Sequence, residues 1–405
     1  MKVNKEQHEH AQAKRSETVL VLQGGGSLGA YECGVYKTIA KHGIKFDILA
    51  GSSIGAINSS IICSAENANK DGAKVLEDFW RTLSESDIPP TFLTYSLSSL
   101  ATLSGPLSYD KIMAIISSIY SVMYGNPKAF RPRWFEPYSL DYFLPYRWNY
   151  LYDATLLKNT LERFIDSSYL NKKPSHGDNN NIKTNNSDRK SRLVITAADI
   201  QKGEPVIFDS YKTNVNIDSI VSCAGYPFYG IKWSTKDDKY LWDGSLLSNT
   251  PLLEVIKASP GYNKKFFIVD VFPREQNKLP TNMVEVWHRA KDIMFNDKTS
   301  TSIEMLKIRE RHISLLKKLY DIITADDTKI DEKSKTRFKK IESEYNELIS
   351  EYGGIIEEVT RIGRVEKIHY LFEDGDFSAY RIKKLIREGE EDAEHVLTDR
   401  KNRNN

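Results

Sequence analysis

Three short stretches carry the residue types that could do chemistry. The first, Val21 to Gly34, reads VLQGGGSLGAYECG and contains Gly24-x-Gly26-x-x-Gly29. That spacing fits a dinucleotide-binding loop, and equally a loop that aims backbone N–H groups at an oxyanion. The second is Gly51-Ser52-Ser53-Ile54-Gly55, a G-x-S-x-G pattern. A serine on a sharp strand-to-helix turn is held with its Oγ exposed, and small flanking residues let the backbones approach closely. Ser53 would also stand at a helix N-terminus, where backbone dipoles favour developing negative charge. The plainer reading is a turn in which Ser53 only caps the helix. The third stretch is Leu241-Trp242-Asp243-Gly244-Ser245. An aspartate at the end of an apolar element, ahead of a glycine, is placed to project into a site; an ordinary turn aspartate is the alternative.

The surrounding residues choose between pyrophosphate and oxyanion. A dinucleotide fold wants an acidic residue at the end of the second strand, to hold the ribose. Here that strand ends at Ala50, while Asp47 lies too early. The chain passes from Ala50 straight into the G-x-S-x-G turn instead. The glycine loop would emerge on the same sheet edge as Ser53, with Gly24, Gly25 and Gly26 turning N–H groups inward as an oxyanion hole.

The elements that must position these residues read as an alternating α/β chain. Thr18–Leu22 and Phe46–Ala50 are expected strands, each leading into a helix: Ala30–His42, stopped by Gly43, and about Ile54–Ser64. Helices are expected over Ala73–Leu83 and Thr155–Ile165, and strands over Arg192–Ala198, Pro205–Phe208 and Phe266–Val271. Such alternation predicts a three-layer α/β/α domain with a mainly parallel central sheet. After Pro273 the chain becomes charged. Met305, Ile308, His312, Leu315, Leu316, Leu319, Ile322 and Ile323 keep helical spacing, as do Phe338, Ile341, Tyr345, Leu348 and Tyr352. Residues 1–16 read as a disordered polar tail, 17–273 as the catalytic domain, and 274–405 as a mainly helical C-terminal domain. Within the second of these, 171–191 is asparagine-rich and reads as a disordered loop.

Composition narrows the function. The chain has 405 residues, 40% hydrophobic and 28% charged, with a net charge of +2. That balance is ordinary for a soluble protein and argues against a dedicated nucleic-acid binder. The N-terminus lacks the apolar core of a signal peptide, and no run of about 18 apolar residues predicts a membrane span. Cys33, Cys63 and Cys223 have no paired spacing and read as reduced packing residues in a cytoplasmic-type compartment. His8 and His10 belong to the tail and His176 to the polar loop, and no metal site is expected.

Taken in order, Gly24-Gly25-Gly26-Ser27-Leu28-Gly29, Gly51-Ser52-Ser53-Ile54-Gly55 and Asp243-Gly244 resemble the patatin-like phospholipase family, over about residues 17–273. Ser222-Cys223-Ala224 ahead of Pro227 resembles a further stretch of it. The resemblance implies a serine lipid acyl hydrolase with a Ser–Asp dyad and no cofactor. Ser53 would be the nucleophile and Asp243 the general base. Gly24, Gly25 and Gly26 would form the oxyanion loop, with Gly29, Gly51, Gly55 and Gly244 supporting the motifs. The substrate would be a lipid ester, cleaved through an acyl-enzyme. This chain departs from the family at Leu28, where bacterial relatives often carry Arg or Lys, and at Ser245, where Gly or Ala is usual.

Several readings stay open on sequence alone. A histidine triad would draw on His288, His312, His369 or His395, all after Asp243 and all in the charged helical region. Residues 88–150 include Thr91–Pro106, which has no charge, and an aromatic-rich run ending at Tyr150. They read either as a lid that meets a membrane surface or as an inserted helical subdomain with its own core. The C-terminal helices could support an oligomer. The rival functions are a non-catalytic lipid-binding or scaffold protein that keeps the fold and an NAD(P)-dependent oxidoreductase built on the glycine loop.

Overall fold

The computed structural model describes residues 16–84, 120, 123–135, 144–173, 190–276, 279–325, 340–348, 354–365 and 373–404. Residues 1–15 of the expected 1–16 tail, most of the 88–150 insertion and most of the 171–191 loop lie outside the described residues, as do His8, His10, His176 and His369, while Ser16 opens the first strand instead of ending a tail.

The central sheet has eight strands: β1 (Ser16–Leu22), β2 (Ile48–Ser52), β3 (Arg192–Asp199), β4 (Pro205–Asp209), β5 (Ser234–Lys236), β6 (Lys239–Asp243), β7 (Asn263–Asp270) and β8 (Ile356–Gly363). Their spatial order is β8-β7-β1-β2-β3-β6-β5, with β4 also pairing β3. Strands β8, β7, β1, β2 and β3 run parallel, whereas β4, β5 and β6 pair antiparallel. The fold is a three-layer α/β/α domain around a mostly parallel sheet, as the alternation predicted.

Period-two alternation explains the layers. Leu20, Leu22, Leu49, Leu193, Ile195, Phe267 and Val269 fill the core on one face. Their neighbours Val19, Val21, Ile48, Ala50, Val194, Phe266 and Ile268 fill the other. The first face is covered by α1 (Gly29–Lys41), α2 (Ile54–Asn67), α3 (Gly72–Ser84) and α8 (Ala379–Asn404). Helices α6 (Leu252–Ala258) and α7 (Met283–Ala325) cover the second. Two shorter helices, α4 (Thr155–Leu161) and α5 (Ile217–Ser222), pack at the first face. Gly43 takes φ 72° just past α1, a left-handed stop that favours glycine.

Strand β8 is the element that the helical reading of the region after Pro273 did not include. It pairs parallel with β7 from Glu358↔Lys265 to Gly363↔Asp270. Helix α8 returns from the same region onto α1. There the Tyr31 hydroxyl donates to Asp392 at 2.9 Å, and Arg400 forms a bidentate pair with Glu358 at 2.6 and 2.7 Å. The sheet and its first helical layer therefore continue into residues 354–404.

A buried polar network ties α1, α2 and α3. Asn58 donates to Gly29 O at 3.0 Å and to Glu32 at 2.8 Å, and accepts from Trp80 Nε1 at 3.2 Å. Burial pushes the Glu32 carboxyl well above its ordinary value, against the opposing pull of Asn58 and the Gln23 backbone. A raised folded-state pKa means that the unfolded chain loses its proton first as pH rises, so this group subtracts stability above about pH 4.5. Glu32→Gln removes that dependence. In thermal melts from pH 4 to pH 8, the melting temperature of the variant relative to wild type should climb with pH. A flat difference would rule out a neutral buried carboxyl.

Candidate active site

The end of β2 sets the first side chain. The strand runs to Ser52, two residues beyond the sequence expectation, and delivers the chain directly to Ser53. Ser53 takes φ 54°, ψ −126°, a conformation an L-residue with a Cβ avoids, at roughly 1–3 kcal/mol. Helix α2 starts at the next residue, and the Ser53 side chain makes no capping hydrogen bond. The helix-cap reading of Ser53 is therefore replaced by a strained turn that leaves the hydroxyl available. Gly55 permits the turn: a Cβ there would lie 2.3 Å from Leu22 O, and one at Gly51 would lie 2.2 Å from Gly55 O.

Asp243 ends β6, opposite Ala197 of β3, and its side chain is fully buried. Its Oδ1 accepts the Ser245 N–H at 2.8 Å. Gly244 packs on the strand behind it, where a Cβ would meet Thr196 O at 2.3 Å. Burial pushes the Asp243 carboxyl from the usual 3.8 up to about 6, partly offset by the Ser53 hydroxyl and by Ser245. Asp243 Oδ2 is buried without a hydrogen bond of full geometry. Serine and aspartate are thus neighbours whose contact is not drawn tight, a common state for a resting site.

The glycine loop closes over the same point. A Cβ on Gly24 would lie 2.8 Å from Ser53 Cβ and 2.5 Å from Asn249 Oδ1, so the loop and the strained serine touch. The Gly24 N–H donates to Asn249 Oδ1 at 3.0 Å, and Asn249 Nδ2 returns a bond to Gly24 O at 3.4 Å. Gly24 therefore shapes the loop with its N–H committed, and Gly25 and Gly26 face the cleft beside it. Gly26 needs its glycine twice over, at φ 57° and with Asp374 O 2.3 Å from where a Cβ would stand. Gly29 begins α1 against Ile54 and Trp80.

Ser53 and the three loop glycines lie on the wall of a cleft of about 440 Å³, a size that suits one small organic ligand. The rest of the wall is mainly apolar, including Ile57, Leu83, Phe130, Leu157, Ile231 and Phe377. The described part of the 88–150 insertion supplies one side through Met123, Ala129 and Phe130. Asp243 lies behind Ser53, outside the lining, which keeps it from solvent.

The other titratable candidates stand apart. None of the described histidines lines the cleft; His288 is buried on α7, and His395 is exposed beside Asp399 at 3.5 Å. The three cysteines are buried free thiols, and burial pushes the Cys63 thiol up to about 12, far from a reactive thiolate. Among the described residues no group of His, Cys, Asp or Glu could hold a metal ion, and no helix is long and apolar enough to cross a membrane. Against a nucleotide, the main-chain carbonyl of Asp374, an acceptor, packs on Gly26 where a phosphate would need room.

Sequence reasoning missed Asn249, Ile54 and Asp374. Asn249 lies within Leu246-Leu247-Ser248-Asn249-Thr250-Pro251, just past the aspartate motif, where a polar residue ahead of a proline was the available hint. Ile54 comes directly after the serine and opens α2, whose first N–H groups have no partner within the helix. Asp374 is more than 300 residues from the glycine loop, as the Ser27–Glu373 separation of 346 shows, and has no local signature.

A family model for patatin-like phospholipases matches residues 20–256. Lysophospholipase NTE1 of Meyerozyma guilliermondii is 37% identical over 78 residues, 18% of this chain and 5% of that protein. Triacylglycerol lipase SDP1L of Arabidopsis thaliana is 44% identical over 45 residues, 11% of this chain and 6% of that protein. The chain thus spans only a small part of the length of these relatives. Among solved structures, VipD from Legionella pneumophila aligns with a TM-score of 0.36 and 13% identity, covering 95% of this chain and 67% of VipD. The type III effector protein ExoU aligns with a TM-score of 0.32 and 11% identity, covering 95% of this chain and 53% of ExoU.

Proposed function

The chain belongs to the patatin-like phospholipase family, and on that premise we propose that it hydrolyses carboxylic esters of lipids through Ser53 and Asp243. The observation that carries this reading is a strained serine facing a buried carboxyl of raised pKa at the wall of an apolar cleft. The Asp243 carboxylate takes the Ser53 proton as Oγ attacks the ester carbonyl. Negative charge then gathers on the carbonyl oxygen, where the N–H groups of Gly25, Gly26 and Ile54 would receive it. Collapse expels the alcohol, which receives the proton from Asp243, and leaves an acyl group on Ser53. Water, deprotonated by Asp243, attacks that acyl group, and release of the fatty acid restores the serine. The chemistry asks for no metal or cofactor.

The cleft favours an acyl chain because its walls are apolar and aromatic. Phe135, Tyr146 and Phe228 are exposed around the 123–151 and 226–231 segments, and we assign them to contact with the lipid surface at which such substrates reside. The corresponding cellular site is cytoplasmic with peripheral membrane contact.

A fluorophosphonate probe should label wild-type protein once, at Ser53, with hydrolysis of lipid esters in the same preparation. Folded protein that gives neither the adduct nor free fatty acid would instead support the non-catalytic lipid-binding alternative.

A further inference from the structure

The glycine loop is held by residues that reach it from the far end of the chain, of which Asp374 and Gly375 share the cleft wall with it. The buried Ser27 hydroxyl donates to Glu373 O at 2.8 Å. At the next turn residue, Asp374 O presses on Gly26, which accepts the contact only because it lacks a Cβ. These two carbonyls belong to a short 3₁₀ turn, Glu373–Gly375. Both of its acidic side chains are buried, and each is anchored by cations from other elements.

Glu373 pairs with Arg364, just past β8, and with Arg381 on α8. Asp374 accepts from Lys291 of α7 at 2.6 Å and from the Tyr229 hydroxyl. Lys291 also donates to Tyr229 at 3.2 Å. Burial alone would raise the Asp374 carboxyl, but Lys291 and Tyr229 hold it below its ordinary value, so it stays charged. Arg364 further reaches Val271 O at 3.3 Å, and Val271 Cγ2 would stand 2.6 Å from a Cβ on Gly25. Charged pairs this buried are weak sources of net stability, yet they fix geometry strictly, since breaking one strands its partner.

We infer that the Glu373–Asp374 turn, cross-braced by Lys291, Arg364 and Arg381, is the positioning device that sets the glycine loop for transition-state stabilisation. The inference rests on the hydrolase reading for its kinetic consequence, though not for its structural one. Donor position governs rate steeply, because an N–H displaced by about 1 Å can forfeit about a hundredfold. Glu373, Arg364 and Arg381 lie off the cleft and act only through the turn, whereas Asp374 and Lys291 also line it, so for Asp374 the split between kcat and KM separates positioning from substrate contact.

Two variants test this, Ser27→Ala, which deletes one buried hydroxyl, and Asp374→Asn, which discharges the brace. In each, hydrogen exchange at the amides of Gly24–Leu28 should accelerate at least about tenfold while β3 stays protected. With a lipid ester as substrate, kcat should fall about tenfold with KM within about twofold. Unchanged exchange and unchanged kcat in folded variants would overturn the inference, as would a rise in KM at constant kcat, which would make these residues substrate contacts. If Asp374→Asn does not fold, Ser27→Ala alone decides. If the wild-type protein neither hydrolyses esters nor labels at Ser53, the hydrolase reading fails while the exchange measurement still judges the brace.

Discussion

Ser53→Ala should abolish ester hydrolysis, with a loss in kcat of about 10⁴-fold or more, the order on which activated-serine enzymes lose. Ser245, also on the cleft wall, cannot stand in, because it lies on a 3₁₀ turn past Asp243 and not on a strained strand-to-helix turn. The same substitution should leave the fold intact, because an alanine at φ 54° suffers the strain that the serine already bears. Replacing Ser53 with glycine separates the two effects. It removes the same hydroxyl but relieves the backbone, and should raise stability by about 1 kcal/mol. The check is a hydrolysis assay beside a denaturant titration for all three proteins. Substantial hydrolysis in Ser53→Ala would end the proposed mechanism; an unchanged or lower stability in Ser53→Gly would show that the turn carries no stored strain.

Asp243→Asn should lower kcat by about 10²- to 10⁴-fold, the usual range for a general base, and should stabilise the protein at the same time. The wild-type carboxyl must be ionised to accept the Ser53 proton, so activity should rise with pH along a limb centred near 6. Its effect on stability runs the opposite way. Between 3.8 and about 6 the folded state still holds a proton that the unfolded chain has released, so stability falls as pH rises through that window and stays low above it. The full penalty is about 3 kcal/mol at about 1.4 kcal/mol for each pKa step. Asparagine escapes it. The melting temperature of Asp243→Asn relative to wild type should therefore grow from pH 4 to pH 6 and then level off. A variant that retains both the acid limb and near-wild-type turnover would show that another group is the base.

Much of this site was legible in the sequence because its parts are local. A strand apolar on both faces, a glycine loop and a helix succeed one another within Ser16–Lys41, and the second strand, the strained serine and α2 within Ile48–Asn67. Short-range spacing alone places such units on one sheet edge. Asp243 was visible for the same reason, at the end of an apolar strand before Gly244. Strand β8 was not, because only Thr360 and Ile362 of its residues are buried. Its charged positions are explained by partners far away, Glu358 by Arg400 and Arg361 by Asp270, and an edge strand of that composition looks like solvated helix. The hydrogen bond of Asn249 to Gly24 spans 225 residues, so no local pattern encodes it. That the Gly24 N–H is bonded to Asn249 was hidden from the sequence for the same reason.

The brace on the glycine loop also has a consequence for how the protein is made. Ser27 leaves the ribosome before its partner, and its contact with Glu373 must wait for 346 more residues. Long-range closures of that kind form late and slowly. Until residues 373–374 are made, the glycine loop beside Ser53 lacks the turn that packs on it, so on the proposed mechanism the growing chain would stay chemically quiet toward lipid esters.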